Sequence, residues 1–279
     1  MADQRIVEHY AGGGFLARLD AALAAANLDR PGIAPTDLAL LDQFHTRGRP
    51  ATLELGRTAG LRADMQVLDL GSGIGGPART LASEFGCQVT GLDLVADYCR
   101  AASRLTRLTG LDARARFVCG SALAAPFADR SFDLIWTQHA AMNIADKKRL
   151  YGECARLVAP CGRLALNDIV AGPAGPPHFP VPWARDPTTS FLASADELRG
   201  RLAVAGFWVV AWEDKTAVVA EWARENLARR AAQTAAGEGG PALGTHLLLG
   251  PEFPAMADNL ARNLAERRVE VVSVVAERM

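Results

Sequence analysis

Val67-Leu68-Asp69-Leu70-Gly71-Ser72-Gly73-Ile74-Gly75-Gly76 carries an apolar run straight into a glycine-rich turn, and Pro77 opens an amphipathic stretch directly after it. Gly71, Gly73 and Gly76 are spaced G-x-G-x-x-G, a pattern that has meaning when it joins a strand to a helix. Such glycines permit left-handed backbone and close approach of a ligand, and the N–H groups of the first helical turn then face that ligand. Outward from this turn, short apolar runs alternate with amphipathic stretches, as in βαβ units of a parallel sheet. The runs predict strands over 66–70, 88–92, 116–119, 132–137, 163–169, 207–212 and 269–276. Helices are expected over 77–85, 96–109, 147–157 and 195–205. The fold class is therefore α/β, a seven-stranded mostly parallel sheet with helices on both faces.

Both flanks of this pattern are helical. Residues 1–61 read as a helical N-terminal cap, with an Ala/Leu run over 15–26, Thr36 and Asp37 opening a helix over 38–44, and Pro50 leading another. Residues 62–279 form the core. Within it, Ala171 to Pro187 holds six prolines without periodicity and reads as a cover or binding loop. Residues 215–268 read as a helical insert before the last strand, interrupted by Gly-Glu-Gly-Gly-Pro-Ala-Leu-Gly at 237–244.

Thirty basic residues against 31 acidic ones leave a net charge of -1, and no dense Lys/Arg run is present, so no nucleic-acid partner is expected. No window approaches the roughly 18 apolar residues of a membrane span, and the N-terminus has no apolar leader, so no membrane partner is expected and the location is read as cytoplasmic. Five scattered cysteines without a C-x-x-C pair argue for buried reduced thiols and against a disulfide framework or a metal site. A homodimer is compatible with all of this and is not dictated by any of it.

Asp93 closes the second strand, in Gly-Leu-Asp-Leu, at the distance from Gly71 where an acidic side chain meets the hydroxyls of an adenosine ribose. Its alternative role is to cap the helix that begins near Ala96. Asp69 separates two adenosine cofactors. A dinucleotide would lay its pyrophosphate against the glycine loop, where a carboxylate two residues upstream opposes the charge. S-adenosylmethionine instead presents an ammonium and a sulfonium, which Asp69 accommodates. An NAD-dependent oxidoreductase is the disfavoured alternative, and a non-catalytic cofactor-binding partner protein is a second one.

Together, Val-Leu-Asp-Leu-Gly-Ser-Gly-Ile-Gly-Gly, Gly-Leu-Asp-Leu at 91–94, Val-Cys-Gly-Ser-Ala at 118–122 and Phe-Asp-Leu-Ile-Trp-Thr-Gln-His-Ala-Ala-Met-Asn-Ile at 132–144 resemble the motifs of class I S-adenosylmethionine-dependent methyltransferases. Ala155 to Asp168 resembles their helix, Pro-x-Gly turn and fifth strand, and Asp42 to Leu55 resembles a segment of the small-molecule subgroup that includes sarcosine/dimethylglycine and natural-product enzymes. The resemblance implies a Rossmann-like core, S-adenosylmethionine as cofactor, and methyl transfer to an N, O or C nucleophile of a small-molecule acceptor in secondary metabolism. It implies that Asp69, Gly71, Ser72 and Gly73 hold the methionine end, Asp93 and Leu94 the ribose, and Ser121 and Ala122 the adenine. Gln138 and His45, with Gly48, are expected near the cofactor as well. Family members usually carry an acidic residue where Ser121 stands.

Such enzymes also often carry a His where this chain has Asn143, whereas His139 stands four residues earlier. On a helix these two positions share a face, so both are expected to point into the pocket, with His139, near its reference pKa of about 6.5, as general base. Tyr10 is expected to cover the transferred methyl group. His139, Asn143 and Tyr10 are thus the catalytic candidates. His178, Phe179 and Trp183 of the proline-rich loop are the candidates for acceptor contact, since ligands of open α/β sheets bind beyond the carboxyl ends of the strands.

Overall fold

Strands β1 (Gln66–Leu70) and β4 (Phe132–Gln138) are buried over most of their length, which is why their sequences run apolar instead of alternating. They form the middle of a seven-stranded sheet with β2 (Gln88–Asp93), β3 (Ala115–Cys119), β5 (Val158–Ala171), β6 (Phe207–Asp214) and β7 (Val269–Arg278). The order is β3-β2-β1-β4-β5-β7-β6. Neighbours pair in parallel except for β7, which runs antiparallel to both β5 and β6. The last strand thus enters the sheet between two strands that precede it. The computed structural model describes residues 2–10, 14–237 and 243–279.

Consecutive strand residues point to opposite faces of a sheet. Val67, Leu134, Ala165 and Val275 therefore pack on one face against α4 (Gly48–Thr58) and α5 (Gly76–Phe85). Leu68, Ile135, Leu164 and Val274 pack on the other against α7 (Lys147–Leu157) and α8 (Ala195–Val204). Ser194 and Glu197 cap α8 reciprocally, which fixes where that helix starts. Strand β5 begins at Val158 and not at the expected 163, because Phe132 pairs with Val158 and Leu134 with Arg163. The Pro160–Gly162 turn is thereby taken up as an irregularity inside the strand.

The N-terminal helices α1 (Ala2–Tyr10) and α2 (Phe15–Ala25) lie over α6 (Ala96–Leu108), where Phe15, Leu19 and Leu23 bury against Tyr98, Ala101 and Leu105. Each such side chain contributes about 1.5–3 kcal/mol. The helix expected over 38–44 is shorter than that. A 3₁₀ turn with Pro35 at its start (Pro35–Leu38) leads into α3 (Ala39–Asp42), and Gln43 leaves helical geometry. The insert consists of α9 (Thr216–Ala235), the single turn α10 (His246–Leu249) and α11 (Phe253–Ala265), and α9 pairs with α11 through Arg230 and Asp258. Within the glycine-rich interruption, 238–242 lies outside the described residues. Among the described residues no helix is long and apolar enough to cross a membrane.

Candidate functional site

A cavity of about 270 Å³ opens at the carboxyl ends of β1, β2 and β4, with Gly71, Ser72 and Gly73 along one side and Asp93, Leu94, Ser121 and Ala122 along another. The glycine loop is stitched to the end of β2. Gly71 and Ser72 donate their N–H groups to the Leu92 carbonyl at 2.8 and 3.2 Å. Gly73 donates to Asp93 Oδ2 at 2.8 Å, and Val95 to Asp93 Oδ1 at 2.9 Å. Asp93 braces the turn ahead of α6, whose N-cap is Val95 and carries no side-chain cap, and presents a half-buried carboxylate to the cavity. Gly71 and Gly73 have φ of +76° and +53°. A Cβ on Gly71 would strike Ala140, whereas one on Gly73 would meet nothing within 4 Å and would project into open space.

Asp69 stands behind this wall, 1% exposed, and is not among the side chains that line the cavity. Burial, reinforced by the nearby Asp93 charge, pushes its carboxyl up to about 8. Its Oδ2, the Ser72 hydroxyl and the Gln138 Nε2 are buried polar atoms without a protein partner among the described residues. A buried polar atom without a partner costs about 1–3 kcal/mol. Ser72 and Gln138 line the cavity, as do Asp42 and Tyr98, whose Oδ1 and hydroxyl are likewise unpartnered, and these atoms mark places where a polar ligand completes the site. Ser121 also lines the cavity, but its hydroxyl already accepts from the Leu123 N–H at 3.2 Å.

His45 and His139 both line the cavity, their rings stacked with centroids 6.2 Å apart. His45 Nε2 meets the Gly48 carbonyl at 3.0 Å and the Thr52 hydroxyl at 3.0 Å. A carbonyl only accepts, so Nε2 carries the proton. Burial lowers the His45 pKa to about 4. Gly48 therefore acts as the anchor of His45 and does not itself line the cavity. Gln138 is held by its Oε1, which accepts from Trp136 Nε1 and from Thr52 Oγ1, each at 3.1 Å.

The expected helical face shared by His139 and Asn143 does not form. Strand β4 ends at Gln138, His139 adopts φ of +51°, and a 3₁₀ turn spans Ala141–Asn143. His139 is pinned because its N–H donates to the Asn167 carbonyl at 2.9 Å. Its Nε2 lies 3.1 Å from the Thr46 hydroxyl, and burial together with His45 lowers its pKa to about 3, far below the expected 6.5. Both residues still reach the cavity, by a turn instead of a helix.

Asn143 is the hub of that turn. Its Nδ2 donates to the carbonyls of Trp183 at 2.7 Å and Thr189 at 2.8 Å, so Oδ1 has to be the atom facing Tyr10. The Tyr10 hydroxyl donates to it at 3.0 Å. Tyr10 and Ile6 of α1 line the cavity, and His9 next to them reaches the Pro182 carbonyl at 3.1 Å. Helix α1 is thus fastened over the cavity by hydrogen bonds to the turn and to the loop. Either Tyr10→Phe or Asn143→Leu removes a bond of about 0.5–1.5 kcal/mol, so tryptic cleavage after the exposed Arg5 is expected to accelerate roughly 2- to 10-fold in both. Unchanged cleavage, followed by mass spectrometry, would show that α1 is held by other contacts.

The structure does not bring His178, Phe179 or Trp183 to the cavity, which corrects the expectation for the proline-rich loop. Trp183 is 1% exposed, packs with Met142, Ile169 and Val219, and donates its indole N–H to Ser190 Oγ at 3.0 Å. Phe179 packs against the same cluster, and His178 pairs with Glu266 at 2.8 Å. Asn263 binds the His178 backbone in both directions, at 2.8 and 3.0 Å. The loop leans on α11, and only the backbone carbonyls of Pro182 and Trp183 act toward the site.

Several lining residues are missing from the expected set: Ile6, Asp42, Phe44, Tyr98, Ile144, Leu150 and Leu248. Asp42 was within the segment that carries the resemblance. Its Oδ2 accepts from Arg79 Nη2 at 2.8 Å, with both side chains at most 1% exposed. Arg79 also donates to the Ile74 carbonyl at 2.8 Å and to Thr106 Oγ1 at 3.1 Å. A fully buried charge requires such partners.

Residues 68–166 match the family model described as "Methyltransferase domain". Among curated proteins, the chain is 34% identical over 134 residues to "Methyltransferase GfsG" of Streptomyces halstedii, a match that covers 48% of this chain and 48% of that one. It is 34% identical over 108 residues to the glycine/sarcosine/dimethylglycine N-methyltransferase of Actinopolyspora halophila, covering 39% of this chain and 19% of the relative. These matches span about half, or less, of the relatives' length. The geranyl diphosphate C-methyltransferase of Streptomyces coelicolor A3(2), solved with Mg2+, geranyl diphosphate and S-adenosyl-L-homocysteine, superimposes with a TM-score of 0.66 at 18% identity, covering 82% of this chain and 79% of that one. That likeness concerns the fold.

Proposed function

We propose that this chain, whose residues 68–166 form a methyltransferase domain within a class I methyltransferase fold, transfers the methyl group of S-adenosylmethionine to a small-molecule acceptor. The observation that carries the reading is the pair of unpartnered buried atoms Ser72 Oγ and Gln138 Nε2 on the cavity wall, beside a glycine loop closed by Asp93, with the unpartnered Asp69 Oδ2 behind that wall. A hydroxyl donor, a carboxylate and an amide donor suit a ligand that carries a carboxylate, an ammonium and ribose hydroxyls. In this reading residues 1–61 cap the core formed by 62–279, and the cluster joining Phe15, Leu19 and Leu23 to α6 supports that division. A role in secondary metabolism and a cytoplasmic location belong to the same reading, the first supported by the likeness to the 27-O-demethylrifamycin SV methyltransferase of Amycolatopsis mediterranei.

S-adenosylmethionine supplies a methyl group activated on a sulfonium, and S-adenosylhomocysteine remains after transfer. What the chain contributes is position. Asp93 and Gly73 would hold the ribose side, Ser72 the methionine side with Asp69 behind it, and Ser121 with Ala122 the adenine side. Tyr10 and Asn143 close α1 over the acceptor and exclude water. Holding two reactants in line can supply roughly 7–11 kcal/mol of the barrier, and a base matters only where the accepting atom carries a proton. The direct test is mass spectrometry of a metabolite panel incubated with S-adenosylmethionine, in which one acceptor gains a methylene mass as S-adenosylhomocysteine accumulates. Consumption of NAD in place of S-adenosylmethionine would refute the reading.

Asp69 makes cofactor binding dependent on pH. Its folded-state pKa of about 8 keeps it protonated at pH 7, and a bound ammonium would draw it down and release that proton. Affinity for S-adenosylmethionine is therefore expected to rise from pH 6 to pH 8, by up to about tenfold per pH unit, and then to level off. Calorimetry in buffers of different ionisation enthalpy checks the proton release. Equal affinity at pH 6 and pH 8 would place Asp69 outside the site.

His139, with its pKa near 3 and a hydroxyl as its Nε2 partner, lacks the acidic residue that stabilises an imidazolium in a base-assisted site. General-base help contributes about 10²- to 10⁴-fold. His139→Gln is therefore expected to retain kcat within about tenfold, and a loss of two orders of magnitude that depends on pH would restore His139 to the role of base.

A further inference from the structure

The cavity has a chemical signature apart from its cofactor half. Of the side chains that line it, none is Lys or Arg, among the described residues. Its charged members are Asp42, Asp93 and Asp146, and Asp42 is already paired with Arg79. The part away from the glycine loop is walled by Ile6, Tyr10, Phe44, Ile144, Leu150 and Leu248. Tyr10 meets Phe44 and Tyr98 edge to face, at 6.2 and 6.1 Å.

Three cations near this wall have partners of their own, among them Arg149, whose Nε donates to the Leu123 carbonyl at 2.6 Å. Lys147 donates its ammonium to the carbonyls of Ala141 and Ile144, which braces the turn carrying Asn143. Arg185 is paired with Glu252 at 2.6 Å. A phosphate or carboxylate entering this cavity would lose water and meet carboxylates, with no guanidinium or ammonium in return. Burying an unpaired charge of that kind is strongly unfavourable.

The same walls limit what the acceptor's attacking atom can be. Neither His45 nor His139 is hydrogen-bonded to a carboxylate, and Tyr10 has its proton committed to Asn143. Burial leaves both imidazoles uncharged and weakly basic, which accords with that geometry. An aliphatic alcohol would find only carboxylates already engaged, Asp93 by the N–H groups of Gly73 and Val95 and Asp146 by that of Arg149. A phenol or enol enters neutral and gives up its proton readily as the methyl group is transferred, so no anion has to be buried beforehand.

On the reading that this is the methyltransferase cavity, we propose that it selects an uncharged, apolar acceptor bearing an acidic hydroxyl, a phenol or enol, and rejects phosphate- and carboxylate-bearing ones. The acceptor oxygen forms the new bond to the methyl carbon, and its proton leaves to solvent. The carbon–sulfur bond breaks with its electron pair left on sulfur. In this the chain departs from its fold relative, which was solved with geranyl diphosphate.

The test compares twins that differ only in charge or acidity, on the full chain loaded with S-adenosylhomocysteine. By calorimetry 1-naphthol is expected to bind at least about tenfold more tightly than 1-naphthyl phosphate or 1-naphthoate, because only the last two bury an unpaired anion. With S-adenosylmethionine, 1-naphthol is expected to gain a methyl group while cyclohexylmethanol does not. Ile144→Arg, which adds the missing cation to the wall, is expected to narrow or reverse the naphthol preference over the phosphate. Phosphate or carboxylate binding as tight as naphthol overturns the proposal, as does methylation of the aliphatic alcohol or failure of every neutral twin to bind. Failure of S-adenosylhomocysteine itself to bind would instead strike the reading beneath it.

Discussion

Replacing Asp93 by alanine is expected to weaken S-adenosylmethionine binding by about 10- to 150-fold, the equivalent of one charge-assisted hydrogen bond worth roughly 1.5–3 kcal/mol. The carboxylate also accepts from Gly73 N–H at 2.8 Å and Val95 N–H at 2.9 Å, so its removal loosens the glycine loop as well. Asp93→Asn keeps one acceptor oxygen and is expected to fall between the two. Calorimetry with S-adenosylhomocysteine, on variants whose circular dichroism shows them folded, makes the comparison. Wild-type affinity in a folded alanine variant would remove Asp93 from the site.

The largest effect on stability is expected from Arg79→Leu. It leaves Asp42, buried to the same degree, without its partner, and breaking one side of such a pair costs roughly 3–5 kcal/mol. For a chain of this size that is a fall in Tm of roughly 6–20 °C. Burial already raises the Asp42 pKa above its unfolded value even with Arg79 present. The sign follows from that direction. A carboxylate whose folded pKa is raised destabilises progressively as pH climbs above the unfolded value, so the loss in Arg79→Leu is expected to deepen from pH 5 to pH 8. Adding Asp42→Leu is expected to restore much of the stability, since an apolar pair of similar volume often replaces a buried ion pair. No recovery in the double variant would mean that the bonds from Arg79 to Ile74 and Thr106, rather than the ion pair, hold α5 in place.

How much of this was legible in the sequence depends on the range of the interaction. The strands announce themselves because burial on both faces demands unbroken apolar runs, and β1 lies over 66–70 as read. The glycine loop and Asp93 are equally local, since strand, turn and helix follow one another in the chain. Spacing alone misreads the stretch after β4. A period of four suggests a helix face, but the chain leaves β4 through a left-handed His139 and a 3₁₀ turn, and Asn143 is fixed by carbonyls 40 and 46 residues away. The proline-rich loop fails as an acceptor contact for the same reason. Its composition marks it as ordered and irregular, but which surface Trp183 buries against is decided by Val219 of α9 and Leu260 of α11. The Asp42–Arg79 pair, 37 residues apart, leaves no periodic trace at all.

The central claim is that the cavity between the glycine loop and Asp93 holds S-adenosylmethionine. Titration of the wild-type chain with S-adenosylhomocysteine and, in parallel, with NAD tests it most directly. The account predicts saturable one-to-one binding of S-adenosylhomocysteine, weakened in Asp93→Ala, and no comparable binding of NAD. Tight binding of NAD with none of S-adenosylhomocysteine would contradict it.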